Sequence, residues 1–167
     1  LGKGTSYSTK ISESTVFYVQ DAGSISATAG PSEKQLTNDR TYGDKIVYFS
    51  TSGEVQITQI SVYYSSVYYG SMQTLTATLS GDAKGTFVSA SQDVQKAGVY
   101  TFSFEQNPIN ITKAGNYSIE FKPDNANFSY STNCNYDEFA YSDIIKFNSG
   151  NANDYGFPAL FDWKISA

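Results

Sequence analysis

The sequence predicts an all-β domain, an antiparallel β-sandwich of the jelly-roll type. Three observations carry this. Apolar and polar residues alternate with period two through most of the chain, as in antiparallel strands with one buried face. Turn signals built from Gly, Pro, Asn and Asp separate the alternating runs at about 8–12 residues, the spacing of sandwiches and barrels. No segment carries the apolar stripe of an amphipathic helix.

Taken in order, "STVFYVQ" (14–20), "SISAT" (24–28) and "DKIVYFS" (44–50) read as the first strands. Between the last two, "GPSEKQLTNDRTYG" (30–43) is a polar connection with room for one helical turn. In "EVQITQISVYY", Thr58, Ile60, Val62 and Tyr64 share one face, and Gln59, Ser61 and Tyr63 share the other. "QTLTATLSGD" sets Leu75, Ala77 and Leu79 against Thr74, Thr76 and Thr78. "GVYTFSFE" sets Tyr100, Phe102 and Phe104 against Val99, Thr101 and Ser103. "GNYSIEFKP" sets Tyr117, Ile119 and Phe121 against Ser118, Glu120 and Lys122. "FDWKISA" places Phe161, Trp163 and Ile165 on one face, which assigns the lone Trp to the core. Gly53, "GDAKG" (81–85), "KAG" (96–98), "NP" (107–108), "KAGN" (113–116) and "KPDN" (122–125) are the turns.

"SVYYSSVYYG" (61–70) is the exception to the regular pattern. SVYY occurs twice, five residues apart. In one unbroken strand an odd spacing puts Val62 and Val67 on opposite faces. The expectation is therefore a strand that ends near Tyr64, followed by an aromatic crossing over 65–73.

At 167 residues the chain has the length of one domain, with a composition of 40% hydrophobic and only 16% charged residues. Residues 1–167 read as a single sandwich domain. The abrupt start "LGKGTS" reads as a boundary inside a longer multidomain protein, with targeting information lying elsewhere. The net charge of −5 argues against nucleic acid as a partner, because such binding needs Lys and Arg to displace counterions. No run of 18 apolar residues offers a membrane-spanning helix. The single cysteine, Cys134, rules out an intrachain disulfide. With Ser, Thr, Asn and Tyr carrying the surface, this fits a bacterial exported domain, placed outside the cell.

There are no histidines, which removes Ser-His-Asp and Cys-His catalysis and His-based metal sites. A pair of carboxylates, as in glycoside hydrolysis, survives as a catalytic option, with Glu105 and Glu120 the pair to consider. Glu120 beside Lys122 reads more simply as a solvated strand face, so the chain is expected not to be an enzyme.

Aromatic residues outside the core pattern are the strongest remaining signal. Sugar rings pack a C–H face on an aromatic face, and their hydroxyls pair with amides and carboxylates. Two groups combine these types. One is Tyr68, Tyr69 and Gln73. The other lies in "DNANFSYSTNCNYDEFAYSD" (124–143), with Tyr130, Asn133, Asn135, Tyr136, Asp137, Phe139 and Tyr141. Adjacent tyrosines in a strand cannot both point inward. Calcium, which prefers hard oxygen ligands, has one candidate set in Asp124, Asn125 and Asn127 and another in Asp137 and Glu138. Asn110, Asn116 and Asn127 each open a glycosylation sequon, read as chance in so Asn-rich a chain.

"VQITQISVYY…QTLTATLSGD…GVYTFSFEQNPINITKAGNYSIEFKP…FPALFDWKIS" resembles the strand cadence of extracellular jelly-roll modules of bacterial surface proteins and polysaccharide-degrading enzymes. The resemblance covers about residues 45–165. It implies a non-catalytic carbohydrate-binding or adhesion module, covalently linked to neighbouring domains. The leading expectation is a module that holds a starch or plant cell-wall type glucan. The alternatives are a structural or adhesive spacer domain and a small jelly-roll glycosidase.

Overall fold

The computed structural model describes residues 25–35, 40–42, 45–81, 87–131, 134–148 and 157–167. The strand expected at 14–20, the turn at 82–85 and Asn133 lie outside them. The described strands are β1 (Ser26–Ala29), β2 (Arg40–Tyr42), β3 (Lys45–Thr51), β4 (Val55–Val67), β5 (Ser71–Gly81), β6 (Phe87–Val94), β7 (Gly98–Ser103), β8 (Ile109–Ile111), β9 (Gly115–Pro123), β10 (Ala126–Ser131), β11 (Ile145–Asn148), β12 (Phe157–Pro158) and β13 (Leu160–Ser166). Short 3₁₀ turns occupy Glu33–Gln35 and Tyr136–Phe139. The first of these is the helical turn expected in the polar connection.

All described pairings are antiparallel, and they form two sheets. One runs β1-β13-β4-β10-β12, with β7 and β8 also paired to β4 and β2 paired to β10. The other runs β11-β3-β9-β5-β6. Trp163 joins the sheets. Its ring meets Phe147 at 5.0 Å, Phe121 at 5.6 Å and Phe49 at 6.2 Å, each edge to face, the geometry that aromatic quadrupoles favour. Its indole N–H donates to the Leu160 carbonyl at 3.0 Å, so no polar atom of this fully buried side chain is left unpaired. Leu75, Ala77 and Leu79 of β5 and Tyr117, Ile119 and Phe121 of β9 supply the facing layer, all buried.

β4 departs from the expectation. It does not end at Tyr64 but runs unbroken to Val67, and only residues 68–70 cross to β5. Two β-bulges reconcile this with the odd spacing, because one extra residue in a strand exchanges its two faces. Against β10, Phe128 pairs with Tyr64 and Asn127 with Ser66, so Ser65 has no opposite number. Its hydroxyl instead donates to the Asn127 carbonyl at 3.0 Å. Beyond it, Val67 returns to the core side opposite buried Ala126. Lower in β4, Lys164 pairs with Gln59 and Ile165 with Ile57, leaving Thr58 as the extra residue. Val55 and Ile57 therefore face the core together with Ile60, Val62 and Tyr64, although their parity is opposite.

The closing strand slips in the same way. Between the pairs Phe161–Ser61 and Lys164–Gln59, β13 has one residue more than β4. Asp162 adopts φ 48°, and its N–H donates to the Pro31 carbonyl. Trp163 and Ile165 face the core as expected, but Phe161 does not. It lies on the outer side of its sheet, packed with Ala159 and Tyr63. Tyr63 and Tyr64 thus straddle the sheet, one outward and one inward.

Tyr64 is fully buried among Tyr100, Phe102 and Phe128. Its hydroxyl has no hydrogen-bond partner among the described residues. Burial first, and the Asp124 carboxylate second, hold the phenol well above its ordinary range. A raised pKa stabilises the fold only below the unfolded value. The contribution is lost as pH rises past about 10, where the unfolded phenol ionises and the folded one does not. Tyr64→Phe removes the unpaired hydroxyl. It is expected to raise stability in urea by about 1 kcal/mol at pH 7 and to reduce the further loss between about pH 10 and 11; a destabilised Phe variant would contradict this. Trp163→Ala is expected to cost about 3–5 kcal/mol in the same assay.

Candidate functional site

Three chain crossings between the sheets lie side by side at one end of the sandwich. In the middle, residues 68–70 carry β4 to β5. On one side, residues 95–97 carry β6 to β7. On the other, Asp124 and Asn125 carry β9 to β10. The neighbours are bound to each other. The Tyr68 N–H donates to the Asn125 carbonyl at 3.0 Å, and the Asp124 N–H to the Thr74 carbonyl at 3.0 Å. Gly70 sits against Gln95, where an added Cβ would lie 3.0 Å from the Gln95 carbonyl oxygen and 2.7 Å from its side-chain oxygen. A larger residue there would force the Gln95 side chain aside and press on its carbonyl.

This packing leaves the second tyrosine pair outside. Tyr68 is 61% exposed and Tyr69 73%, the two most open large aromatic side chains among the described residues. Met72, at the start of β5 opposite Asp93, is 61% exposed. The tyrosines are nevertheless held. Asn127 Nδ2 donates to the Tyr68 hydroxyl at 2.6 Å and to Ser66 Oγ at 3.3 Å. The Ser65 bulge sets that register, so Asn127 and Ser66 share the outer face with Tyr68. Gln73 Nε2 donates to the Tyr69 carbonyl at 3.0 Å. Gln73 is itself fully buried and braces Tyr69 from beneath rather than presenting its amide to solvent.

Around the pair stand polar groups, planar amides and carboxylates with one lysine. Asp93, Gln95 and Lys96 flank one side, all exposed, with the Gln95 amide donating to the Asp93 carboxylate. Asp124, Asn125 and Asn127 flank the other. The structure thus joins the first tyrosine group to residues expected as calcium ligands. Asn125 Nδ2 donates to Asp124 Oδ1 at 2.9 Å, and the Asn127 amide is engaged with Tyr68. Among the described residues, no group of three or more His, Cys, Asp or Glu side chains converges. Asn125 takes φ 48° at the tip of its turn, a conformation that Asn tolerates better than most residues. Met72, Gln95 and Asp93 were not singled out in the sequence. Met72 shares the outward parity of Thr74 and Thr76, so its exposure was readable there.

The second tyrosine group lies elsewhere. β10 starts beside Val67 and ends with Ser131 paired to Phe157, and a six-residue strand spans about 17 Å. Tyr136 packs at the far end, its ring 5.8 Å from both Phe139 and Phe157. It is half-buried, as is Tyr141, which bridges to Ile145. Asn135 caps the 3₁₀ turn, accepting from the Asp137 N–H at 3.3 Å and donating to Glu138 Oε1 at 2.9 Å. Glu138 and Asp137, the second candidate calcium pair, lie in that turn. The Tyr130 backbone pairs with Pro158 and Arg40. The Tyr136 and Tyr141 rings thus pack against the core cluster, unlike Tyr68 and Tyr69. Cys134 is half-buried against the same cluster.

Glu105 and Glu120 do not share a strand or a sheet. Glu120 lies 3.5 Å from Lys122 on the outer face of β9, and Glu105 lies in the turn after β7. The chain matches no protein-family model and no curated protein sequence.

Gly70→Ala is expected to destabilise the domain by about 1–3 kcal/mol, the range for overpacking, with a corresponding fall in the thermal midpoint. An unchanged midpoint would show that the crossings at 70 and 95 do not bear on each other.

Proposed function

We propose that the domain is a non-catalytic carbohydrate-binding module whose site is the Tyr68–Tyr69 crossing. The observation that carries this reading is the exposure of two adjacent tyrosines, 61% and 73%, on a backbone held by the Tyr68–Asn125 and Gln73–Tyr69 hydrogen bonds and packed against Gln95. An exposed apolar patch rimmed by polar groups marks an interaction surface. The rim here is Gln95, Asn125 and Asn127 amides with Asp93 and Asp124 carboxylates. Amides offer a donor and an acceptor side by side, the arrangement that neighbouring sugar hydroxyls require. The tyrosine rings supply the flat apolar face for the C–H side of a pyranose. The fixed Tyr68 hydroxyl means that little side-chain freedom is lost on binding.

A polysaccharide of the starch or plant cell-wall glucan class fits this surface. The site lies on an end of the sandwich and is open, which suits an internal stretch of a long chain as well as a chain end. Affinity per module is expected to be weak and to be raised by multivalency in a parent protein outside the cell. The Tyr68–Asn125 backbone bond joins two of the crossings directly. The spacer reading draws support from one observation, the packing of Tyr136 on Phe139 and Phe157, which spends that aromatic group on the fold.

Affinity electrophoresis through gels containing starch, mixed-linkage β-glucan, cellulose derivatives or xylan tests the proposal. Retardation is expected on at least one glycan. Tyr68→Ala and Tyr69→Ala are each expected to weaken it by about fivefold, the equivalent of about 1 kcal/mol for a lost aromatic contact. No retardation on any glycan sinks the reading, and full retardation of the double variant rejects this site.

A further inference from the structure

β6 and β7 are edge strands of different sheets. Among the described residues β6 pairs only with β5, and β7 only with β4. The crossing at 95–97 ties them at the tyrosine end, and they part as they run away from it. Ser89 and Ser103 each lie seven residues from Lys96, so they face each other across the seam. There the gap opens into a cleft of about 330 Å³ lined by Ser89, Ser103, Phe104, Gln106 and Asn107. That volume falls at the lower end of the range for ligand pockets, about 300–1,000 Å³.

The cleft is built rather than loose. Phe104 is buried, and its N–H donates to the carbonyl of Thr58, the lower bulge residue of β4, at 2.7 Å. The Asn107 N–H closes a turn onto the Phe104 carbonyl at 3.0 Å, and the Glu105 N–H donates to Ser103 Oγ at 3.4 Å. These bonds place Gln106 and Asn107 at the mouth. Among the described residues, no charged side chain lines the cleft. Two hydroxyls and two primary amides do, each able both to donate and to accept, with a buried aromatic residue among them. A charged ligand would find no counter-ion there, whereas a neutral polyhydroxylated one would find a partner for each hydroxyl.

We propose that this cleft is a second subsite for a neutral sugar, one strand length from the tyrosine pair, about 17 Å for the six residues of β7. The inference rests on the carbohydrate reading of the domain but on separate residues. It gives one module two contacts with a polysaccharide and makes binding depend on chain length.

Amide NMR spectra of the wild-type domain titrated with maltohexaose, laminarihexaose, cellohexaose and xylohexaose test it, with Tyr68→Ala/Tyr69→Ala and Gln106→Ala/Asn107→Ala as variants. Unchanged near-ultraviolet circular dichroism checks their fold. Saturable shifts at Ser89, Ser103, Gln106 and Asn107 are expected with at least one sugar. They should persist in the tyrosine variant and fall at least fivefold in the amide variant. Shifts confined to residues 68–70 and 124–127 overturn the second subsite and leave the tyrosine site standing. Shifts confined to the cleft support the subsite and reject the tyrosine site. No shift with any of the four sugars rejects both.

Discussion

A β-strand shows its core only every second residue, and β4 meets that constraint with a sequence that twice breaks step. β4 pairs with β13 and β10 on one edge and with β7 and β8 on the other, so its register is shared by four strands. A slip of one residue would turn every later side chain to the wrong face. Thr58 and Ser65 absorb the mismatch locally. Each lets a short in-step block, Val55–Ile57, then Ile60–Tyr64, then Val67, meet the same core. The bulges also join the core to the surface features. Thr58 accepts the bond that seats Phe104, and Ser65 accounts for the shared outer face of Asn127, Ser66 and Tyr68.

From that register the end of the molecule follows. β4 stays in the sheet through Val67, so only three residues remain to reach β5. A crossing that short has no slack to fold its tyrosines back onto the core. Glycine at position 70 lets it press against Gln95, and the turn at Asp124 and Asn125 borders it on the other side. Exposure of Tyr68 and Tyr69 is thus a consequence of backbone geometry. Two open aromatic rings rimmed by polar groups make a partner worth looking for. At the other end of β10 the chain is longer between elements, and Tyr136 reaches Phe139 and Phe157.

Much of this was legible in the sequence. The core faces of β5, β7 and β9 follow simple alternation, and Trp163 was placed correctly by its parity with Ile165. The placing of Tyr68 and Tyr69 outside the core followed from the broken parity of the two SVYY units, which sets them in the crossing to β5. The bulges were not legible, because Ser65, Thr58 and Asp162 are ordinary strand and turn residues with no glycine to mark them. As a result β4 was expected to stop three residues early, and Phe161 was assigned to the core it turns away from. Gln73 was chosen for its amide, but its parity with Leu75 and Ala77 already pointed inward. The cleft beside Gln106 and Asn107 arises from two strands in different sheets, a relation that no local pattern carries.

The central claim is that Tyr68 and Tyr69 are free to meet a sugar and are covered when one binds. Photochemically induced nuclear polarisation reports which tyrosine rings a dissolved dye can touch. Residues can be assigned by single Tyr→Phe variants. In the free domain, Tyr68 and Tyr69 should give the strongest signals among the tyrosines whose side chains the structure describes, with Tyr64 silent. A saturating glycan should suppress both and leave those of Tyr136 and Tyr141 unchanged. Tyr68 and Tyr69 signals that persist at full intensity with a glycan demonstrably bound would contradict the claim.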